Sequence, residues 1–111
     1  DKVDELVDQL LADSNTPPII VLQSDHGWPT LGGAQPSASD LKSVFRNLNA
    51  YYLPGEGGEA LYESITPVNT FRLIFNTYFG GDYDLLDDDS FYSDHARYVF
   101  DFTNVTDLLE Q

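Results

Sequence analysis

Asp25, His26 and Gly27 stand next to each other directly after the apolar run Pro18-Ile19-Ile20-Val21-Leu22-Gln23. A carboxylate beside an imidazole is a pair that binds divalent metals such as Zn²⁺ or Mn²⁺. Glycine after the pair lets the backbone turn without a Cβ penalty. The apolar run reads as a strand, and sheets covered by helices bind ligands at the carboxyl ends of their strands. Read without context, Asp25 and His26 also suit a loop turn in which the Asp side chain caps backbone amides.

An element on each side must position this triplet. Val3, Leu6, Val7, Leu10 and Leu11 repeat at the spacing of an amphipathic helix, with Asp1, Asp4, Glu5 and Asp8 off its apolar face. Pro17-Pro18 stops that helix, and residues 19–23 follow as a buried strand. Residues 24–40 read as a loop, with a short helical turn over 39–45. A second strand is expected over 47–52, then a flexible connection over 54–58. Thr66 as cap, Pro67 at the first helical position and Gly80 at the end bound a helix over 67–79. It is apolar almost all round, so Phe71, Leu73, Ile74, Phe75 and Tyr78 are expected in the core. Residues 98–102 are a third candidate strand. Asn104 or Thr106 is expected to cap a last helix ending in Leu108-Leu109. The order predicts one domain without internal repeats. It should be a three-layer α/β arrangement with helices 3–13 and 67–79 on a small, mostly parallel or mixed sheet.

The 111 residues carry 19 acidic and 5 basic side chains, a net charge of −14. Such a chain repels nucleic acid and anionic lipid and favours cations. Cysteine is absent, which excludes disulfides, zinc ribbons and thiol catalysis. No apolar run reaches the roughly 18 residues of a membrane span. The first residues do not read as a signal peptide. Methionine is absent even at position 1, which leads us to expect an excised or processed segment.

Three stretches, IIVLQSDHG at 19–27, LNAYYLPG at 48–55 and LYESITPVNTFRLIFNTYFGGDYDLLDD at 61–88, resemble the C-terminal part of the sulfatase-like domain of the alkaline phosphatase superfamily. The likeness is to a bacterial branch of membrane-anchored sulfatases and phosphoglycerol- or phosphoethanolamine-transferases. It implies a fragment of an alkaline-phosphatase-like three-layer sandwich, with the whole of 1–111 a single C-terminal segment of the catalytic domain. It implies that Asp25 and His26 ligate a catalytic divalent metal, Zn or Mn, with Ca or Mg as alternatives. The family's nucleophile and a further carboxylate ligand lie upstream, so the resemblance implies no catalytic residue in this segment. The upstream remainder of the domain and a small phosphate or sulfate ester are the partners implied, without nucleic acid or membrane contact. A membrane-anchored parent with an extracytoplasmic catalytic domain is implied as well; where this chain resides is left open.

Other residues invite weaker chemistry. His95 could serve a second metal or be a surface histidine. The aspartates at 82, 84, 87, 88 and 89 do not fit an EF-hand loop and read as a solvated turn. The seven tyrosines could stack on a sugar, although packing is the commoner fate. Ser24 and Ser64 have no neighbouring base in sequence. Two other readings therefore stand beside the metal-dependent enzyme: a non-catalytic acidic α/β domain that binds a protein partner or cations, and a sugar-binding module.

Overall fold

The computed structural model describes residues 1–28, 36–93 and 99–110. Helix α1 spans Lys2–Asp13, strand β1 Ile20–Gln23, α2 Ala38–Phe45 and β2 Asn49–Tyr52. A 3₁₀ turn over Gly55–Ala60 leads to α3 at Pro67–Phe79, then β3 (Phe91–Tyr92), β4 (Thr103–Asn104) and α4 (Thr106–Glu110). The chain is mixed α/β. Both ladders among the described residues are two-stranded and antiparallel, β1 with β2 and β3 with β4, where a mostly parallel or mixed sheet was expected. The reason lies at Ser24. Its N–H donates to Leu48 O at 2.9 Å and its Oγ accepts from Leu48 N–H at 2.8 Å. The chain therefore re-enters beside the point where it left β1, and β2 runs back along it with Gln23 opposite Asn49 and Ile20 opposite Tyr52.

Helix α1 begins at a capping box, in which the Asp1 carboxylate accepts from the Val3 and Asp4 amides. None of its residues is buried; Leu6 is 56% exposed. Helix α3 occupies the expected 67–79. It ends at Gly80 in the left-handed conformation, φ 67°, which a side chain would strain. Thr66 sits at the N-cap position without capping by its side chain. Its hydroxyl donates instead to Asp88 Oδ1 at 2.7 Å.

The segment after α3 is not the solvated turn that its aspartates suggest. It is a strap laid antiparallel along α3. Asn76 Nδ2 donates to Tyr83 O and Asn76 Oδ1 accepts from Tyr83 N–H, both at 2.8 Å. Two turns earlier, Asn69 Nδ2 donates to Leu86 O at 2.8 Å and Asn69 Oδ1 accepts from Leu86 N–H at 2.9 Å. Between them, Arg72 donates to Asp84 O at 3.0 Å. Positions 69, 72 and 76 share one helix face. Each Asn amide pairs with a peptide as a neighbouring strand would, so the carboxylates of Asp82, Asp84 and Asp87 turn outward.

The strap decides what α3 buries. Asn69, Thr70, Leu73 and Ile74 are buried, while Phe71 and Phe75 are 53% and 45% exposed, contrary to the core expected from the sequence. Phe71, Phe75 and Phe79 line up at four-residue spacing along one edge, and Tyr83 of the strap stacks 6.2 Å from Phe75. Tyr78 is half-buried, its hydroxyl donating to Pro54 O at 2.6 Å over the buried Gly57. That bond orders the 54–58 connection into a 3₁₀ turn.

α2, with Leu41 buried, packs against α4, and Val105 just ahead of α4 is 3% exposed. The third strand expected over 98–102 is absent from its described part: 99–100 form a turn, and Thr103–Asn104 pairs instead. Tyr98 lies outside the described residues. The last helix follows Asn104, whose Oδ1 accepts from Thr106 N–H at 3.0 Å.

The radius of gyration is 17.0 Å, where a compact chain of this length has about 13 Å. Helix α1 buries no residue, and the aromatic edge of α3 is open.

The amide clasp makes Asn69 the costlier loss on α3. Asn69→Ala removes the fully buried amide and leaves the part-buried N–H and C=O of Leu86 without their partners, and it should lower stability by about 1–3 kcal/mol. Phe75→Ala should cost roughly 1 kcal/mol or less, since much of the ring is already wet. Urea unfolding of both variants checks this; a larger loss for Phe75→Ala would refute the strap as the anchor.

Candidate functional site

Asp25 and His26 follow β1 by two and three residues, at its carboxyl end. The loop that carries them is stapled on both sides. Ser24 closes the ladder as described, and its Oγ also donates to His26 O at 3.3 Å. Asn47 Nδ2 donates to Ser24 O at 3.3 Å. On the far side Gly27 N–H donates to Val44 O at 2.6 Å, against the C-terminal turn of α2. Ser24 thus serves as a structural staple.

The pair itself is open to solvent, with the side chain of Asp25 85% exposed and that of His26 55%. Asp25 Oδ1 accepts the N–H of the next residue, His26, at 3.0 Å. The other oxygen, Oδ2, stands 3.5 Å from His26 Nε2. Two adjacent ligands of a tetrahedral zinc, each at roughly 2.1 Å, are about 3.4 Å apart, so the separation fits one edge of such a site. The remaining corners are not supplied here: among the described residues no group of three or more His, Cys, Asp or Glu could hold a metal ion. His95 lies outside the described residues.

The pair borders a cleft of about 870 Å³. Besides Asp25 and His26 it is lined by Tyr62, Glu63 and the start of α3 at Thr66, with Asp89 and Ser90 at the end of the strap. Among the described residues three carboxylates, Asp25, Glu63 and Asp89, line the cleft and no Lys or Arg does. The cleft favours cations and, without one, repels anions. Sequence reasoning did not bring Tyr62, Thr66, Asp89 or Ser90 to the side of Asp25 and His26. No local spacing links them to Asp25; the strap brings 88–90 back to the α3 N-terminus.

Asp88 fixes that wall. Its carboxylate accepts from Tyr62 Oη at 2.6 Å and from Thr66 N–H and Oγ1 at 2.7 Å each. It thereby occupies the positive end of the α3 dipole. Burial alone would raise the Asp88 carboxyl, but the hydrogen bonds from Tyr62 and Thr66 outweigh it and hold the group below its ordinary 3.8. Burial first, and then the bond to Asp88, push the Tyr62 phenol above 10.0. Tyr62 therefore stays a donor to Asp88 and accepts from Asn69 Nδ2 at 3.0 Å.

No protein-family model, curated protein or solved structure matches the chain. Among the described residues no helix is long and apolar enough to cross a membrane.

The Asp88 cluster has a pH signature. Its folded-state value is depressed, so its contribution is complete above about pH 4 and drains as pH falls through the folded value. Asp88→Asn should cost about 1–3 kcal/mol near neutral pH. The gap to the unsubstituted chain should narrow below about pH 4. Chemical unfolding across that range checks it; a gap independent of pH would exclude the cluster as its source.

Proposed function

We propose that the chain is the C-terminal segment of a sulfatase-like catalytic domain, a piece of a metal-dependent hydrolase or transferase for phosphate or sulfate esters. Asp25 and His26 supply two ligands to its divalent ion, Zn or Mn in the first instance. The observation that carries the metal is the pairing of Asp25 Oδ2 and His26 Nε2 at 3.5 Å at the end of β1, beside a cleft lined among the described residues by three carboxylates and no Lys or Arg. The ester class rests on the resemblance of residues 19–27, 48–55 and 61–88 to that superfamily, as does the alkaline-phosphatase-like sandwich.

A bound ion supplies Lewis acidity toward the ester oxygens. The residues of this chain orient it: the staple at Ser24 holds the loop, and Asp25 and His26 present their donors side by side. An anionic ester approaches this cleft only once a cation offsets Asp25, Glu63 and Asp89. The nucleophile comes from the upstream remainder of the domain. The same remainder accounts for the uncovered apolar faces of α1, with Val3, Leu6 and Leu10, and of α3, with Phe71, Phe75 and Phe79. Contiguous exposed apolar surface of that kind marks an interaction surface.

In the full-length parent, Asp25→Ala or His26→Ala should abolish Zn²⁺- or Mn²⁺-dependent ester turnover. The isolated chain should bind Zn²⁺ weakly, lose that binding in either variant, and turn over no ester. Calorimetry on the chain and an ester-hydrolysis assay on the parent test both halves. A parent fully active without His26 would overturn the ligand role; turnover by the isolated chain would overturn its standing as part of a site.

A further inference from the structure

His26 has two ring nitrogens, and the fold treats them differently. Nδ1 lies 2.6 Å from the carbonyl oxygen of Gly27. A carbonyl only accepts, so in the neutral ring the proton resides on Nδ1. Nε2 then keeps its lone pair, and it is Nε2 that faces Asp25 Oδ2. Two lone-pair donors side by side are a place for a cation.

The Gly27 carbonyl can do this because of where Gly27 sits. Its N–H donates to Val44 O, and its α-carbon lies against the last carbonyls of α2. A Cβ there would overlap Ser43 O and stand 2.7 Å from Arg46 O and 3.0 Å from Val44 O. Its φ lies outside the left-handed region, so conformational freedom is not what requires glycine at this position. Close approach is the requirement. Those same α2 carbonyls form the negative end of a helix, an environment that favours a cation nearby.

We propose that Gly27 is the positioning residue of the metal pair: held against the C-terminus of α2, it locks His26 as the Nδ1–H tautomer and leaves Nε2 as the single ligating nitrogen. This rests on the metal-binding reading of Asp25 and His26. Ligating histidines commonly depend on a partner at their other nitrogen, and its loss costs roughly 10- to 100-fold in metal affinity.

Long-range ¹H–¹⁵N spectra of the neutral imidazole read the tautomer without metal. His95→Gln leaves His26 as the one imidazole, since the chain has two histidines. The spectrum should show the Nδ1–H form; an Nε2–H form overturns the proposal. Gly27→Ala should shift the ring toward Nε2–H and lower Zn²⁺ affinity roughly 10-fold or more. Ile74→Val, a core change away from the site, should leave the tautomer as it was. Retention of Nδ1–H in a folded Gly27→Ala variant would overturn the lock. If that variant does not fold, the tautomer of the His95→Gln protein decides alone. Added Zn²⁺ should move the Nε2 resonance, and movement of Nδ1 instead would overturn the assignment. An Nδ1–H ring that ignores Zn²⁺ would sustain the lock and refute the metal reading.

Discussion

Two asparagine side chains hold this structure together. Asn69 and Asn76, two turns apart on α3, each pair with a peptide of the segment that follows the helix, as a neighbouring β-strand would. A polar amide at 0% exposure, as at Asn69, is costly unless its groups find partners, and here they do. Among the described residues no buried side-chain polar atom lacks a partner. Once the strap is laid down, its far end has one place to go: Asp88 reaches the start of α3, and Asp89 and Ser90 reach the wall of the cleft. An acidic segment that would otherwise repel itself thus becomes a structural element, because its backbone is gripped and the carboxylates of Asp82, Asp84 and Asp87 are exposed.

The loop that brings Asp25 and His26 to the same cleft is held by the same means. Ser24 and Gly27 anchor the Asp25-His26 loop through main-chain bonds to Leu48 and Val44, with little apolar burial. The loop is held at its ends while the donor side chains stay exposed. This division suits the metal pair proposed for Asp25 and His26: the backbone is fixed, and the donor side chains stay exposed.

The apolar surface tells a complementary story. The buried hydrophobic core of the described residues is small, Leu41, Leu73, Ile74 and Val105. Much of what the sequence offers as core, along α1 and the Phe71–Phe75–Phe79 edge, lies uncovered. Polar clasps and ladders therefore carry an unusual share of the order, which is why an asparagine is expected to outweigh a phenylalanine on the same helix.

Elements with local signals were legible in the sequence by itself. Proline at the start and glycine at the end fixed α3 over 67–79, apolar periodicity marked α1, and a short turn ahead of β2 was visible in 39–45. The Asp25-His26 pair after a strand was legible too, because strand, turn glycine and donor types are adjacent in the chain. Only the tertiary structure decided the antiparallel direction of β2, which face of α3 is buried, the strap, and the role of Asp88. The physical reason is common to all four. Hydrophobic periodicity reports which residues avoid water, whereas these features depend on which distant peptide or hydroxyl accepts a hydrogen bond: Ser24 with Leu48, Asn69 with Leu86, Asp88 with Tyr62 and Thr66. A side-chain amide or carboxylate looks the same in sequence whether it faces solvent or clasps a backbone, and only the folded chain separates the two.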